Sequence, residues 1–151
     1  VDNYMYTIDR LNTEFKGNYE EFAVLLPTSP LRNAQDIDNA CALFRNKAAR
    51  SVISCAELEH PREWLFDIGP AGVIRKDQRA DVNNRQSARP AYVPNGAVYV
   101  LTYALLKQEH SYYSEKTYAY VMPRERSIDI DTEFDFQLAE FLTKAQRSGR
   151  K

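Results

Sequence analysis

Apolar residues follow two different periods along this chain, and the change of period predicts alternating helices and strands. Spacings of three and four in residues 1–15, after Asn33 and after Thr132 predict three amphipathic helices. Short apolar runs at 22–26, 51–55 and 97–101 predict buried strands. Because helices and strands alternate, we expect an α/β fold in which the strands at 22–26 and 51–55 are parallel and joined by a helix.

The segment 127–136 contains both periods. Ile128 and Ile130 alternate with Asp129 and Asp131, so an extended backbone would place the isoleucines on one face and both carboxylates on the other. A helix whose apolar stripe is Phe134, Leu138, Phe141 and Leu142 is expected to follow. We therefore expect the aspartates where a buried strand gives way to a helix, at the sheet edge where ligands bind in open α/β folds.

The spacing of the two aspartates leaves two interpretations open. Mg²⁺ commonly takes one or two protein carboxylates and completes its coordination with water and substrate phosphates. Alternatively, Asp131 caps the helix and Asp129 is a solvated side chain, because short pairs of this kind are common. The pattern alone favours neither.

Composition excludes several classes of partner and site. The 151 residues include 20 basic and 21 acidic side chains, so a net charge of −1 gives no field that would attract nucleic acid or an anionic membrane. No apolar run approaches the roughly 18 residues of a membrane span. Cys41 and Cys55 have no metal-site spacing and are expected to be free thiols. We expect a single cytoplasmic domain covering residues 1–151.

Two further regions have a distinct character. Glycines and Pro70 between apolar stretches at 64–66 and 73–74 predict a hairpin, and a polar loop is expected over 75–89. Pro94, Asn95 and Gly96 predict a turn before the strand at 97–101. Tyrosines concentrate over 103–122, which favours a protein contact, and we interpret this segment as a dimerisation arm.

Several short motifs, taken in order, resemble one enzyme family. They are Leu25-Leu26-Pro27-Thr28-Ser29-Pro30-Leu31-Arg32, Arg85-Gln86, Val93-Pro94-Asn95-Gly96-Ala97-Val98-Tyr99, Val121-Met122-Pro123 and Ser127-Ile128-Asp129-Ile130-Asp131-Thr132. Together they resemble the acylneuraminate cytidylyltransferases, the CMP-sialic acid synthetases and their relatives that act on other nonulosonic acids.

The resemblance implies a Rossmann-like three-layer nucleotidyltransferase fold and a specific reaction. In that family, the anomeric hydroxyl of a sialic-acid-like sugar attacks the α-phosphate of CTP, and pyrophosphate leaves. Asp129 and Asp131 match the catalytic, metal-binding aspartates, which implies Mg²⁺ as cofactor. Charge that accumulates on phosphate oxygens during such a transfer is best met by a divalent cation, so the chemistry agrees.

The resemblance also assigns substrate binding and a partner. The implied substrate-binding residues are Thr28, Ser29, Arg85, Asn95, Tyr99, Tyr112 and Tyr113. An arginine at position 85 would pair with the sugar carboxylate through its planar fork. Tyr112 and Tyr113 match an aromatic pair that enters the partner subunit's site, so the resemblance implies a homodimer with shared sites.

Two departures from the family pattern shape the expectation. Leu26 and Val93 stand where family members that act on sialic acid usually have a glutamine and an arginine, which points to a different sugar acid or to none. The glycines never cluster into a phosphate-binding loop, so we expect an N-terminally truncated enzyme that is inactive alone. The alternatives are a non-catalytic homodimeric module that binds a sugar or another protein, and an enzyme completed by a second chain.

Overall fold

The computed structural model describes residues 1–76 and 88–148. The chain forms a larger compact unit, Val1–Ala56 with Pro94–Lys151, and a smaller one, Glu57–Val93. The single domain expected from the sequence stays a prediction. The larger unit contains the predicted aspartates and most of the other predicted site residues.

The described residues form a mixed α/β arrangement. The helices are α1 (Asp2–Glu14), α2 (Ala34–Asn46), α3 (Tyr103–Glu109) and α4 (Glu133–Ser148). The strands are β1 (Glu21–Val24), β2 (Ser51–Glu57), β3 (Phe66–Ile68), β4 (Ile74–Lys76), β5 (Tyr92–Thr102) and β6 (Thr117–Val121). Short 3₁₀ turns occupy Arg62–Trp64, Pro70–Gly72 and Arg124–Arg126.

The four-stranded sheet has the order β1-β5-β2-β6 and contains both strand directions. β1 is antiparallel to β5, and β2 is parallel to β6. The Thr102 amide donates to the Arg50 carbonyl, and the Val98 amide donates to the Ser54 hydroxyl, so β5 also runs antiparallel to β2. β1, β2 and β6 therefore share one direction, and β5 runs between β1 and β2 in the opposite one. A mixed sheet of this kind is compatible with a Rossmann-like fold.

The core lies on both faces of the central strand β5, as its continuous apolar run predicted. Ala97 and Val98 are buried with α2 and β2 residues in one cluster, and Leu101 is buried with Leu105 and Leu106 of α3 in another. α2 begins with a capping box, because the Asn33 side chain accepts from the Asp36 amide while the Asp36 carboxylate accepts from the Asn33 amide.

Two local predictions were wrong. Ile128–Asp131 form no strand, since the segment after β6 is irregular and the Ile130 amide bonds to the Thr28 carbonyl instead of joining a ladder. Pro94-Asn95-Gly96 lies inside β5 and is not a turn before it. The segment 103–122, which the sequence predicted to be a dimerisation arm, consists of α3, a connection and β6. Its role in dimerisation stays a prediction.

Helix α4 begins as predicted but packs differently. The Thr132 hydroxyl accepts from the Asp135 amide, and the Asp135 carboxylate accepts from the Thr132 amide, so the two residues cap the helix. Phe134 and Phe141, predicted to face the core, are exposed, whereas Ala139 is buried. The period of the apolar residues identified the helix, and the choice of buried face was wrong.

The smaller unit contains the predicted hairpin. β3 pairs with β4 in antiparallel register, with Ile68 opposite Ile74, and Gly69 and the Pro70–Gly72 turn connect the strands. Residues 77–87 lie outside the described residues, and so do Arg85 and most of the predicted polar loop. In the part of the chain that the structure describes, no helix has both the length and the hydropathy needed to cross a membrane.

Candidate functional site

The candidate site lies at the sheet edge where β1, β2 and β6 end and where β5 enters the larger unit. Three segments meet there: the loop after β1, the part of β5 around Asn95 and Gly96, and the connection from β6 to α4. The Ile130 amide donates to the Thr28 carbonyl at 2.8 Å, and the Ser29 hydroxyl donates to the Asn95 carbonyl at 3.0 Å. The loop after β1 is therefore joined to both other segments.

The loop after β1 is held in shape by its own residues. Arg32 donates from Nη1 to the Leu26 and Ser29 carbonyls at 2.6 and 2.8 Å. Ser29 is completely buried, so its hydroxyl serves the internal bond to Asn95. Thr28 is half-buried and contributes its carbonyl to the contact with Ile130. Substrate binding by Thr28 and Ser29 stays a prediction, and in this structure both residues join backbone segments.

Asp129 is the residue whose surroundings point most directly to a ligand. Its Oδ1 is buried and has no hydrogen-bond partner among the described residues. Burying a charged oxygen without a partner is costly, so such an atom calls for a bound cation or donor. Asp129 Oδ2 lies 3.5 Å from the position that a β-carbon on Gly96 would occupy, which places the carboxylate beside β5.

Asp131 differs from Asp129 in its exposure. It is exposed, and its amide donates to Asp135 Oδ2 at 3.3 Å beside the α4 cap. Because the segment is not a strand, the alternation argument no longer places the two carboxylates on one face. A metal-ligating role for Asp131 therefore stays a prediction.

The donor set fits a magnesium ion better than a metal enclosed by protein ligands. Among residues 1–76 and 88–148, no group of three or more histidine, cysteine, aspartate or glutamate side chains is arranged to hold a metal. Mg²⁺ requires few protein ligands, because water and phosphate oxygens supply the rest of its octahedron. The unpartnered oxygen of Asp129 is what such an ion would need from this chain.

Gly96 allows the close approach of the three segments. Its φ of +69° lies in the left-handed region that favours glycine. A β-carbon there would lie 3.0 Å from both Leu26 Cδ1 and Ser29 Oγ. The Asn95 Oδ1 accepts from the Ala97 amide across this glycine at 3.2 Å. Pro94, Asn95 and Gly96 correctly indicated an unusual backbone. The prediction that they lie before the strand was wrong.

Asn95 is a buried junction of hydrogen bonds. Its Oδ1 accepts from the Ser54 hydroxyl at 2.6 Å, and its Nδ2 donates to the Ser127 hydroxyl at 2.9 Å and contacts Met122 Sδ at 3.5 Å. The side chain thus joins β2, β5 and the segment that leads to Asp129. The predicted contact of Asn95 with a sugar is untested, and its polar groups already have partners within the protein.

Three tyrosines form a half-buried cluster near the site. The Tyr112 ring centroid lies 5.8 Å from that of Tyr99 and 6.2 Å from that of Tyr4. Burial raises the pKa of Tyr99, and the neighbouring Tyr113, Tyr112 and Asp129 raise it further. Tyr112 therefore packs within its own chain, whereas Tyr113 is exposed and accessible to another molecule.

Sequence reasoning missed an ion pair behind the site. Asp36 is completely buried, and Arg126 donates to it from Nε at 3.0 Å and from Nη2 at 2.8 Å. The capping position of Asp36 was visible from Asn33, but nothing local indicated a partner 90 residues away. A separate cavity of about 490 Å³, lined by Asn12, Tyr19, Glu20 and Tyr103 among others, lies where β1 begins and β5 ends.

Comparison with known proteins addresses the family. No protein-family model matches the chain. An N-acylneuraminate cytidylyltransferase of Streptococcus agalactiae serotype V is 33% identical over 127 residues, which cover 82% of this chain and 31% of that protein. The CMP-N,N'-diacetyllegionaminic acid synthase of Legionella pneumophila is 29% identical over 126 residues, 82% of this chain and 54% of that protein.

A third relative is named for another sugar acid. The pseudaminic acid cytidylyltransferase of Campylobacter jejuni strain 81-176 is 26% identical over 127 residues, 83% of this chain and 55% of that protein. The chain is homologous to the acylneuraminate cytidylyltransferases. It spans about a third of the length of the Streptococcus relative and just over half of the other two.

Proposed function

We propose that this cytidylyltransferase homologue forms the metal-binding and sugar-binding part of a site that transfers CMP from CTP to a sialic-acid-like sugar. The observation that carries the proposal is the buried, unpartnered Oδ1 of Asp129. It lies at the sheet edge where the loop after β1, β5 and the connection from β6 to α4 meet. The relatives' names, which join cytidylyl transfer to acylneuraminic, legionaminic and pseudaminic acids, support the reaction class.

In the proposed reaction, the oxygen of the anomeric hydroxyl of the sugar forms a bond to the α-phosphorus of CTP and gives up its proton to water. The bond from that phosphorus to the bridging oxygen breaks, and pyrophosphate leaves with the electron pair. Mg²⁺ bound through Asp129 and Asp131 would stabilise the charge on the phosphate oxygens. The chain itself fixes the Asp129 carboxylate against Gly96 and excludes water from one of its oxygens.

The sugar specificity is part of the proposal. Leu26 lies in the site, since its Cδ1 is 3.0 Å from the position of a β-carbon on Gly96, and it offers no hydrogen bond to a sugar. An apolar side chain at this point favours a sugar acid that has no polar group there, because an unpaired polar group loses affinity when it is buried. We therefore propose a nonulosonic acid other than N-acetylneuraminic acid as the substrate.

The metal site is tested by titrating Mn²⁺, as a spectroscopic substitute for Mg²⁺, into the chain and into two variants. Asp129→Asn removes the charge and keeps the shape, and Asp38→Asn is the matched control because Asp38 is exposed on α2. We expect Asp129→Asn to weaken Mn²⁺ binding by about tenfold or more, as loss of a carboxylate ligand does, while the control is unchanged. Equal affinities for all three proteins would refute the proposed metal site.

A non-catalytic module that binds a sugar is the second candidate, because the side chains of Ser29 and Asn95, two of the predicted substrate-binding residues, are bonded within the protein. Calorimetry with CTP in the presence of Mg²⁺, and separately with a nonulosonic acid, distinguishes the two functions. Binding of both ligands supports the transferase. Binding of the sugar acid without CTP supports the module.

We also propose a homodimer, and the hairpin of the smaller unit supports it better than the tyrosine segment does. Phe66, Ile68 and Ile74 are exposed by 51%, 73% and 61%, and the last two are paired across β3 and β4. A two-stranded hairpin is marginally stable alone, and an apolar face can pack on a second copy of itself about a two-fold axis. We propose a second copy of this chain as the occupant.

Sedimentation velocity of two variants tests this contact. Ile74→Glu places a charge on the hairpin face, and Phe141→Glu places one on the exposed face of α4, which is similarly apolar. We expect only Ile74→Glu to shift the sedimentation coefficient toward a monomer. Dissociation by Phe141→Glu alone would place the contact on α4 and refute the hairpin interface.

A further inference from the structure

The buried carboxylate of Asp36 is the most heavily bonded polar group behind the candidate site. Its Oδ2 accepts from Arg126 Nε at 3.0 Å and from the Asn33 amide at 2.9 Å. Its Oδ1 accepts from Arg126 Nη2 at 2.8 Å and from the Tyr120 hydroxyl at 3.2 Å. The arginine thus binds both oxygens with a planar fork, a geometry that fixes its orientation as well as its distance.

Asp36 and Arg126 lie next to two of the segments that form the site, the loop after β1 and the connection from β6 to α4. Asp36 is in the first turn of α2, four residues after the loop that ends at Arg32. Arg126 ends the 3₁₀ turn that follows β6, three residues before Asp129. The pair therefore joins the loop after β1 to the segment that carries the candidate metal ligand. A second bond between these two segments runs from the Ile130 amide to the Thr28 carbonyl.

The segment needs such support because it has little regular structure of its own. Residues 127–130 belong to neither a helix nor a strand, so their backbone is not fixed by a ladder of hydrogen bonds. Within the segment, the Ser127 hydroxyl donates to the Pro123 carbonyl at 2.7 Å, a local bond that shapes the turn without attaching it to the loop after β1. A charged pair with fixed geometry can hold the position of the segment where apolar packing is weak.

We propose that Asp36 and Arg126 are positioning residues, whose ion pair holds residues 127–131 against the loop after β1 and so sets the orientation of the Asp129 carboxylate. The effect on metal affinity rests on the proposed function, whereas the effect on the backbone does not. Neither residue touches the expected substrate or ion, so each acts through the segment. Residues that support a metal ligand commonly change affinity by about 10–100-fold when they are replaced.

The test compares Arg126→Met, Arg126→Lys and a destabilised control, Leu106→Ala. Methionine keeps much of the length and removes the charge, and lysine keeps the charge but cannot form the fork. Leu106 is fully buried in a cluster that contains neither Asp36 nor Arg126, so its truncation lowers stability without affecting the segment directly. Each protein is measured by hydrogen exchange of the Ile130 amide without metal and by Mn²⁺ titration.

We expect Arg126→Met to accelerate exchange of the Ile130 amide and to weaken Mn²⁺ binding by about tenfold, with Arg126→Lys intermediate in both measurements. Leu106→Ala should lower the melting temperature while leaving the Mn²⁺ affinity unchanged. If Arg126→Met accelerates exchange of the Ile130 amide no more than Leu106→Ala does, the positioning role is overturned. If the unsubstituted chain binds no Mn²⁺, the proposed function fails, and the exchange rates still decide whether the pair positions the segment.

Discussion

The carboxylate of Asp129 lies directly against Gly96, with Oδ2 3.5 Å from the point where a β-carbon on that glycine would stand. Gly96 has a φ of +69°, so its missing side chain both permits the backbone conformation and leaves room for the carboxylate. The position of the candidate metal ligand thus depends on a glycine 33 residues earlier in the chain.

Gly96→Ala should therefore lower stability and disturb the metal site together. The left-handed backbone costs a non-glycine residue about 1–3 kcal/mol, and contacts at 3.0 Å with Leu26 and Ser29 add to that strain. Gly72→Ala is the matched control, because Gly72 has a φ of +79° but nothing within 4 Å of an added β-carbon. Urea denaturation should show a loss for both variants, and Mn²⁺ titration should show a loss for Gly96→Ala alone. If Gly96→Ala binds Mn²⁺ as tightly as the unsubstituted chain, the metal site does not depend on Gly96.

The alternation of isoleucine and aspartate shows which part of this site the sequence could predict. It placed Ile128 and Ile130 on the core face, and both are half-buried, but Asp129 between them is half-buried as well. It failed to predict the backbone, since a period of two over four residues does not require a strand. The contact that fixes the segment, from the Ile130 amide to the Thr28 carbonyl, joins residues 102 positions apart and has no local signature.

Asn95→Ala should destabilise the larger unit, because Asn95 bonds to other parts of the protein. A residue that only contacted a sugar would have little effect on stability. Removing the side chain deprives the hydroxyls of Ser54 and Ser127 of a buried partner, and the Ala97 amide of its acceptor. Such losses cost about 1–3 kcal/mol each time a buried group is left unpaired. Asn39→Ala is the control, because Asn39 is exposed on α2 and should change stability by less than about 0.5 kcal/mol. If Asn95→Ala and the control have the same urea midpoint, the hydrogen bonds of Asn95 do not stabilise the larger unit as expected.

The ion pair of Asp36 should make stability depend on acid pH. Burial raises the pKa of Asp36, but hydrogen bonds and the charge of Arg126, together with bonds from the Asn33 amide and the Tyr120 hydroxyl, lower it by more, so the pKa in the folded protein lies below its ordinary value. A lowered pKa stabilises the fold above the unfolded value of about 3.9, and that stabilisation is lost as pH falls through the folded value.

Asp36→Asn should remove this dependence. We expect the variant to be less stable at pH 7 by about 3 kcal/mol, because it leaves Arg126 without its charged partner. Between pH 4 and pH 2, its urea midpoint should fall less than that of the unsubstituted chain. Asp38→Asn should keep the full pH dependence, since Asp38 is exposed two residues further along the same helix. Parallel pH profiles for the Asp36→Asn variant and the unsubstituted chain would show that another group governs acid unfolding.

Helix α2 illustrates why half of this pair was predictable. Asn33 followed by Asp36 is a local capping pattern, and the structure contains both of its hydrogen bonds. The same carboxylate also binds Arg126, which in the sequence is one of several charged residues in a polar stretch. Local patterns predicted the helix start, whereas the contact between distant segments depends on the folded sheet and could not be read from spacing.

The adjacent residues Tyr112 and Tyr113, which the sequence treated as one pair, should behave differently when replaced. Tyr112 packs against Tyr99 and Tyr4, so Tyr112→Ala should lower the free energy of unfolding by about 1–3 kcal/mol, less than a fully buried aromatic because the ring is half-buried. Tyr113 is 55% exposed, and Tyr113→Ala should change stability by less than about 0.5 kcal/mol. Urea denaturation measures both effects, and sedimentation at low concentration then tests whether Tyr113 reaches a second copy of the chain. If Tyr112→Ala weakens self-association while leaving stability intact, Tyr112 serves the partner and not its own fold.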